Sequence, residues 1–146
     1  PLYGGLCVMI MAETNQSICS VHYSNIDINT FDEAAALAIE NLKGYFSSLN
    51  VDSSMGFASL YCFKDNPFLS SSLILLDQFW ANLSDALNED CYFSIPRKDQ
   101  LFIFDPRNPS SLKTAKKLNA VTMTDDFNLL SPQIFRRRGG VVEVVG

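Results

Sequence analysis

Residues Phe93 to Asp105 read FSIPRKDQLFIFD, and the second half of this stretch limits the possible folds more than any other feature of the chain. Successive side chains of a β-strand point to opposite faces, so the unbroken run Leu101-Phe102-Ile103-Phe104 is apolar on both faces and belongs in the middle of a sheet. In the preceding run Cys91, Phe93 and Ile95 share one face by period two. Between the runs, Pro96-Arg97-Lys98-Asp99 supplies a rigid residue and three charges, the chemistry of a hairpin tip. Asp105-Pro106 then stops the second strand, because proline cannot donate to a ladder.

The flanking sequence alternates strand and helix signals. Gly4 to Glu13 and Gln16 to Tyr23 predict two strands around a tight Thr14-Asn15 turn, with Gly5 to Ala12 (GLCVMIMA) as a buried strand. Thr30-Phe31-Asp32-Glu33 is a capping box. The helix it starts carries Phe31, Ala35, Ala38, Leu42, Tyr45, Phe46 and Leu49 at three- and four-residue steps, which predicts one buried stripe. Phe57 to Phe63 reads as a buried strand between Gly56 and Asp65-Asn66-Pro67. Ser70-Ser71-Ser72 offers an N-cap to a second helix, with Leu73, Leu76, Phe79, Trp80, Leu83 and Leu87 inward and Asp77, Asn82 and Asp85 wet. A lone Trp on such a stripe belongs to the core. Asn108-Pro109 predicts a short third helix to about Leu118, with Lys113, Lys116 and Lys117 solvated. Gln133 to Arg138 and Val141 to Val145 pair about Gly139-Gly140, which can take the positive dihedrals of a two-residue turn. Hairpins with interposed helices predict an α+β fold, with a largely antiparallel sheet and two main helices and one short helix packed against it.

With 146 residues, 47% of them hydrophobic, the chain has the size and apolar content of a single domain spanning residues 1–146. It opens on Pro1 rather than Met, as expected of an excerpted or processed chain lacking an N-terminal segment. No apolar run approaches the roughly 20 residues that cross a bilayer, so no membrane partner is expected. Cys7, Cys19, Cys62 and Cys91 lie in hydrophobic runs without any C-x-x-C pair, the usage of buried free thiols in a reducing cytoplasm.

Net charge is −5, but its distribution is uneven. Up to Ile95 there are eleven acidic and two basic residues; from Pro96 onward there are five acidic and nine basic. A basic third therefore sits on an acidic protein, and its cations either neutralise the rest across the surface or gather on one face toward an anionic partner. Arg136-Arg137-Arg138 is the densest cluster. On a strand Arg136 and Arg138 project to one face and Arg137 to the other. Guanidinium forks suit carboxylate or phosphate, while charged edge strands also block unwanted sheet pairing. The acidic overall sign disfavours nucleic acid, which needs many phosphate contacts.

Catalytic motifs are absent. His22 has no second histidine or cysteine at metal-ligand spacing, and no G-x-S-x-G elbow is present. Gly4-Gly5 and Gly139-Gly140 extend into no phosphate-binding loop, so neither a metal nor a cofactor is expected. The acidic pairs Asp32-Glu33, Glu89-Asp90 and Asp125-Asp126 read as a cap and as solvated charge.

In order along the chain, EAAALAIENL, SSLILL, SIPRKDQLFIF and IFRRRGGVVEVV resemble the motifs of the YtpQ-like family of uncharacterised bacterial proteins. On that resemblance Pro96, Lys98 and Asp99 occupy the family's P-x-R-D positions and Arg97 its variable one, with lysine replacing the favoured arginine. The resemblance implies a cytosolic bacterial protein with no settled activity. The expectation is a non-enzymatic binding module that contacts an acidic protein or small anionic ligand through Arg97, Lys98, Asp99, Arg136 and Arg138. Two alternatives stand beside it. One is an enzyme for a small anionic substrate using Asp99 and Lys98; the other is an inhibitor that covers a basic enzyme with its acidic N-terminal two-thirds.

Overall fold

The computed structural model describes residues 2–13, 18–20, 30–124 and 128–146. Strands β1 (Met11–Glu13) and β2 (Ile18–Ser20) form a small antiparallel sheet of their own. Helix α1 (Phe31–Gly44) leads through a 3₁₀ turn, Tyr45–Ser48, into β3 (Leu49–Asp52) and β4 (Ser59–Phe63). A 3₁₀ segment, Pro67–Leu75, precedes helix α2 (Asp77–Leu87). There follow β5 (Asp90–Arg97), β6 (Gln100–Phe104), helix α3 (Ser111–Thr122), β7 (Ile134–Arg138) and β8 (Val141–Val144). The last six strands make one antiparallel sheet in the order β3-β4-β6-β5-β7-β8. The fold is α+β.

Strand β6 lies between β4 and β5 because its run Leu101–Phe104 is apolar on both faces. Leu101 and Ile103 face a core built with Phe63, Phe93, Ile95 and Phe135 from the sheet, and with Leu42, Leu73, Leu76, Phe79 and Trp80 from the helical layer. Phe102 and Phe104 face a second core closed by Ala115, Leu112 and Leu118 of α3, with Ile134 and Ala58. Phe93, Phe104 and Phe135 are fully buried, and the rings of Phe93 and Phe135 stack at 5.1 Å. Trp80 is a core residue, its Nε1 donating to the carbonyl of Ile74 at 2.9 Å.

Several expectations are corrected. The buried strand expected over Gly5 to Ala12 reduces to β1, and Cys7, Val8, Met9 and Met11 are exposed. Gly4 and Gly5, at φ +58° and +77°, turn the chain so that Tyr3 packs edge-on against Phe93 and Phe135. Thr30 does cap α1, its Oγ1 accepting from the Glu33 amide at 3.2 Å. However, Phe31 is half exposed, Ala34 and Leu42 are buried, and Leu49 leaves the helix to begin β3, a strand the sequence reading missed. Ser70 is no cap; it is fully buried, and its hydroxyl accepts from the Phe63 amide at 3.0 Å. Helix α3 starts at Ser111, after an Asn108 turn, and runs on to Thr122. The arginine strand is interior: β7 lies between β5 and β8, so the edge is Val141–Val144. Gly139 and Gly140, at φ +52° and +81°, make the expected turn. The Thr14-Asn15 turn, His22 and Asp125-Asp126 lie outside the described residues.

Candidate functional site

The five residues singled out from sequence fall at opposite ends of β5. Asp90, at its start, pairs across the ladder with Arg138, and Tyr92 pairs with Arg136. Arg97 closes its far end against Gln100. Arg97 lies seven positions beyond Asp90, about 23 Å along an extended strand at roughly 3.3 Å per residue. Lys98-Asp99 and the arginine strand are therefore not one site.

At the far end only Lys98 and Asp99 form the turn; Pro96 and Arg97 belong to the strand, and Pro96 is fully buried. The ladder is irregular between Ser94 and Arg97, which suits a proline that has no amide to donate. Residues 128–131 run alongside this end. The Leu130 amide donates to the Pro96 carbonyl at 2.8 Å, the Lys98 amide to Asn128 at 2.9 Å, and the Ser71 amide to Lys98 at 2.9 Å. The tip is thus pinned from two sides by main-chain bonds. Arg97 Nε donates to Asp99 Oδ1 at 3.0 Å, and both side chains are mostly covered. Asp99 thus serves as the counter-ion of Arg97. Lys98 alone is exposed.

At the near end Asp90 holds two arginines. Arg136 forms a fork to it, Nε to Oδ1 at 2.9 Å and Nη2 to Oδ2 at 2.7 Å, and Arg138 Nη2 donates to Oδ2 at 3.0 Å. Arg136 also lies over the Tyr92 ring at 5.4 Å. The hydrogen bond from Arg136 leads the effects that bring the Asp90 carboxyl down to about 2, against the opposing cost of burial, with Arg138 adding its own bond and charge. Asp90 is not the solvated charge its sequence neighbourhood predicts. Its alternation with Tyr92 and Ser94 marks its face, but only the register of β5 on β7 puts it against Arg136 and Arg138.

Arg137 projects to the other face, as alternation requires, and its guanidinium stacks over Trp80 at 4.8 Å. Beneath it the Cys91 thiol is pushed up to about 12, chiefly by burial. Such a thiol has almost no thiolate at neutral pH and is a poor nucleophile. Arg107 closes on Asp105, Nη2 to Oδ2 at 2.7 Å. The arginines with described carboxylate partners, Arg97, Arg107, Arg136 and Arg138, are thus bound up inside the protein's own charge pairs. Lys98, Lys113, Lys116 and Lys117 are exposed and have no carboxylate partner among the described residues. No group of three or more His, Cys, Asp or Glu that could hold a metal converges among the described residues. Nor does any helix there have the length and apolarity to cross a membrane.

Compared with known proteins, the chain matches no family model, no curated protein and no solved structure. The likeness to YtpQ-like proteins rests on the quoted motifs alone.

Proposed function

We propose that this protein is a non-enzymatic binding module whose basic C-terminal third meets an acidic protein or small anionic ligand. The observation that carries this reading is the contrast between the two kinds of cation. Arg97, Arg107, Arg136 and Arg138 are engaged by the protein's own carboxylates and Arg137 lies over Trp80, whereas Lys113, Lys116 and Lys117 stand exposed on α3. Residues 113 and 117 are one helical step of four apart and 113 and 116 one step of three, so the three ammonium groups share a face. Lys98, on its pinned turn, and the exposed part of Arg138 are secondary contacts in this proposal. Free thiols at Cys7, Cys62 and Cys91 support a reducing, cytosolic setting, and the YtpQ-like motifs support a bacterial one.

The test uses poly-L-glutamate as the anionic probe, titrated by calorimetry at low and high salt. Exposed charge contacts weaken as the Debye length shortens, so binding should fall at high salt. The pair Lys113→Glu and Lys117→Glu should weaken it at least tenfold, and Arg138→Glu should do so less. Equal binding by the wild type and the double variant would sink the proposal.

A further inference from the structure

A groove of about 340 Å³ opens on the α2 side of the sheet, between the C-terminal half of α2 and the tip of the β3–β4 hairpin. Tyr61 and Ile103 floor it, Leu83, Ala86 and Leu87 of α2 form one wall, and Phe57 stands at the rim with 39% of its surface exposed. The volume falls within the range of small-molecule sites, and the lining has their character: apolar and aromatic, with a few polar groups. It lies on the opposite face of the sheet from the lysines of α3.

The charges around this groove select the kind of occupant. Asp105 lines it, but both carboxylate oxygens are taken by Arg107, whose Nε lies 2.9 Å from each and whose Nη2 is 2.7 Å from Oδ2. The same Nη2 donates to the Ala86 carbonyl at 3.4 Å, tying the end of β6 to α2. Opposite charges therefore cancel at the rim. An ion entering here would give up hydration without gaining a free counter-charge, a costly transfer. Neutral hydrogen-bonding capacity remains at the Ser53 and Ser59 hydroxyls, which bond each other at 2.9 Å across the hairpin.

We infer that this groove binds one small uncharged molecule, with a flat apolar body lying on Tyr61, Ile103 and Phe57 and a neutral hydrogen-bonding group toward the serine hydroxyls. The probe for testing this is N-phenyl-1-naphthylamine, a neutral aromatic whose fluorescence rises on leaving water. Wild-type protein should give saturable, single-site enhancement. Ala86→Phe, at an exposed helix position that lines the groove, should weaken it at least tenfold, and Ala120→Phe on the far helix should leave it unchanged. Chemical shifts of the wild type, which need no variant, should move at Phe57, Tyr61, Leu87 and Ile103. The sulfonated analogue 1-anilinonaphthalene-8-sulfonate should bind at least tenfold more weakly. Absence of saturation, shifts confined to other residues, indifference to a folded Ala86→Phe variant, or equal affinity for the sulfonate would each overturn the inference.

Discussion

Replacing Asp90 with Asn removes one negative charge and leaves the mostly covered Arg136 without its counter-ion, while the backbone pairing of β5 with β7 stays possible. A carboxyl brought from 3.8 to about 2 represents a stabilisation of at most about 2.5 kcal/mol, at about 1.4 kcal/mol per tenfold. Asp90 and Arg136 each keep about a fifth of their side-chain surface in solvent, and Arg138 two-thirds. Screening therefore brings the expected loss to about 1–1.5 kcal/mol, or a drop in Tm of about 3–5 °C for a chain of this length. Because the folded state binds the proton less tightly than the unfolded one, the stabilisation is present above the unfolded value and is lost as pH falls through the folded value. The gap between wild type and variant should shrink to about half by pH 3 and nearly close below pH 2. Urea midpoints at pH 7 and pH 3, with Tm followed over the same range, measure this directly. A gap independent of pH, or one under about 0.3 kcal/mol at pH 7, would refute the electrostatic account. Arg138→Met should cost less than Arg136→Met, since its side chain is largely hydrated before it pairs.

Two further outcomes follow from buried groups. Ser70→Ala strands the Phe63 amide inside the core and should cost about 1–3 kcal/mol, measured by urea unfolding; a loss below about 0.5 kcal/mol would show that another acceptor takes over. Cys91, buried and pushed up to about 12, should resist iodoacetamide at pH 8 until the protein unfolds, while the exposed Cys7 reacts; peptide mass spectrometry distinguishes the two, and comparable labelling rates would contradict the burial of Cys91.

Strand β7 shows where pattern stops being informative. Period two put Arg136 and Arg138 on one face and Arg137 on the other, and the structure agrees, because side-chain direction in a strand is a local property. The same pattern is silent about neighbours. It left β7 as an edge, whereas the sheet places it between β5 and β8, and it gave no hint that Asp90, 46 positions from Arg136, would neutralise two of the three arginines. The FSIPRKDQLFIFD stretch divides in the same way. Its apolar half located the centre of the sheet, but residues 128–131 and Ser71, remote in sequence, decided that Pro96 is covered and the turn pinned. Serine commonly caps helices, which makes a cap the local expectation for Ser70; its burial depends on β4 arriving beside it.

By itself the sequence determined the α+β alternation, the Thr30 cap, the Gly139-Gly140 hairpin, the inward stripe of α2 and the central place of Leu101–Phe104. Each follows from periodicity or turn chemistry within a few residues. Tertiary structure alone decided strand order, the identity of every long-range charge partner, the separation of Lys98 from Arg136, and the groove beside α2. The reason is physical: a cation's freedom to meet a ligand depends on whether register has already brought a carboxylate to it, and register is a relation between distant segments.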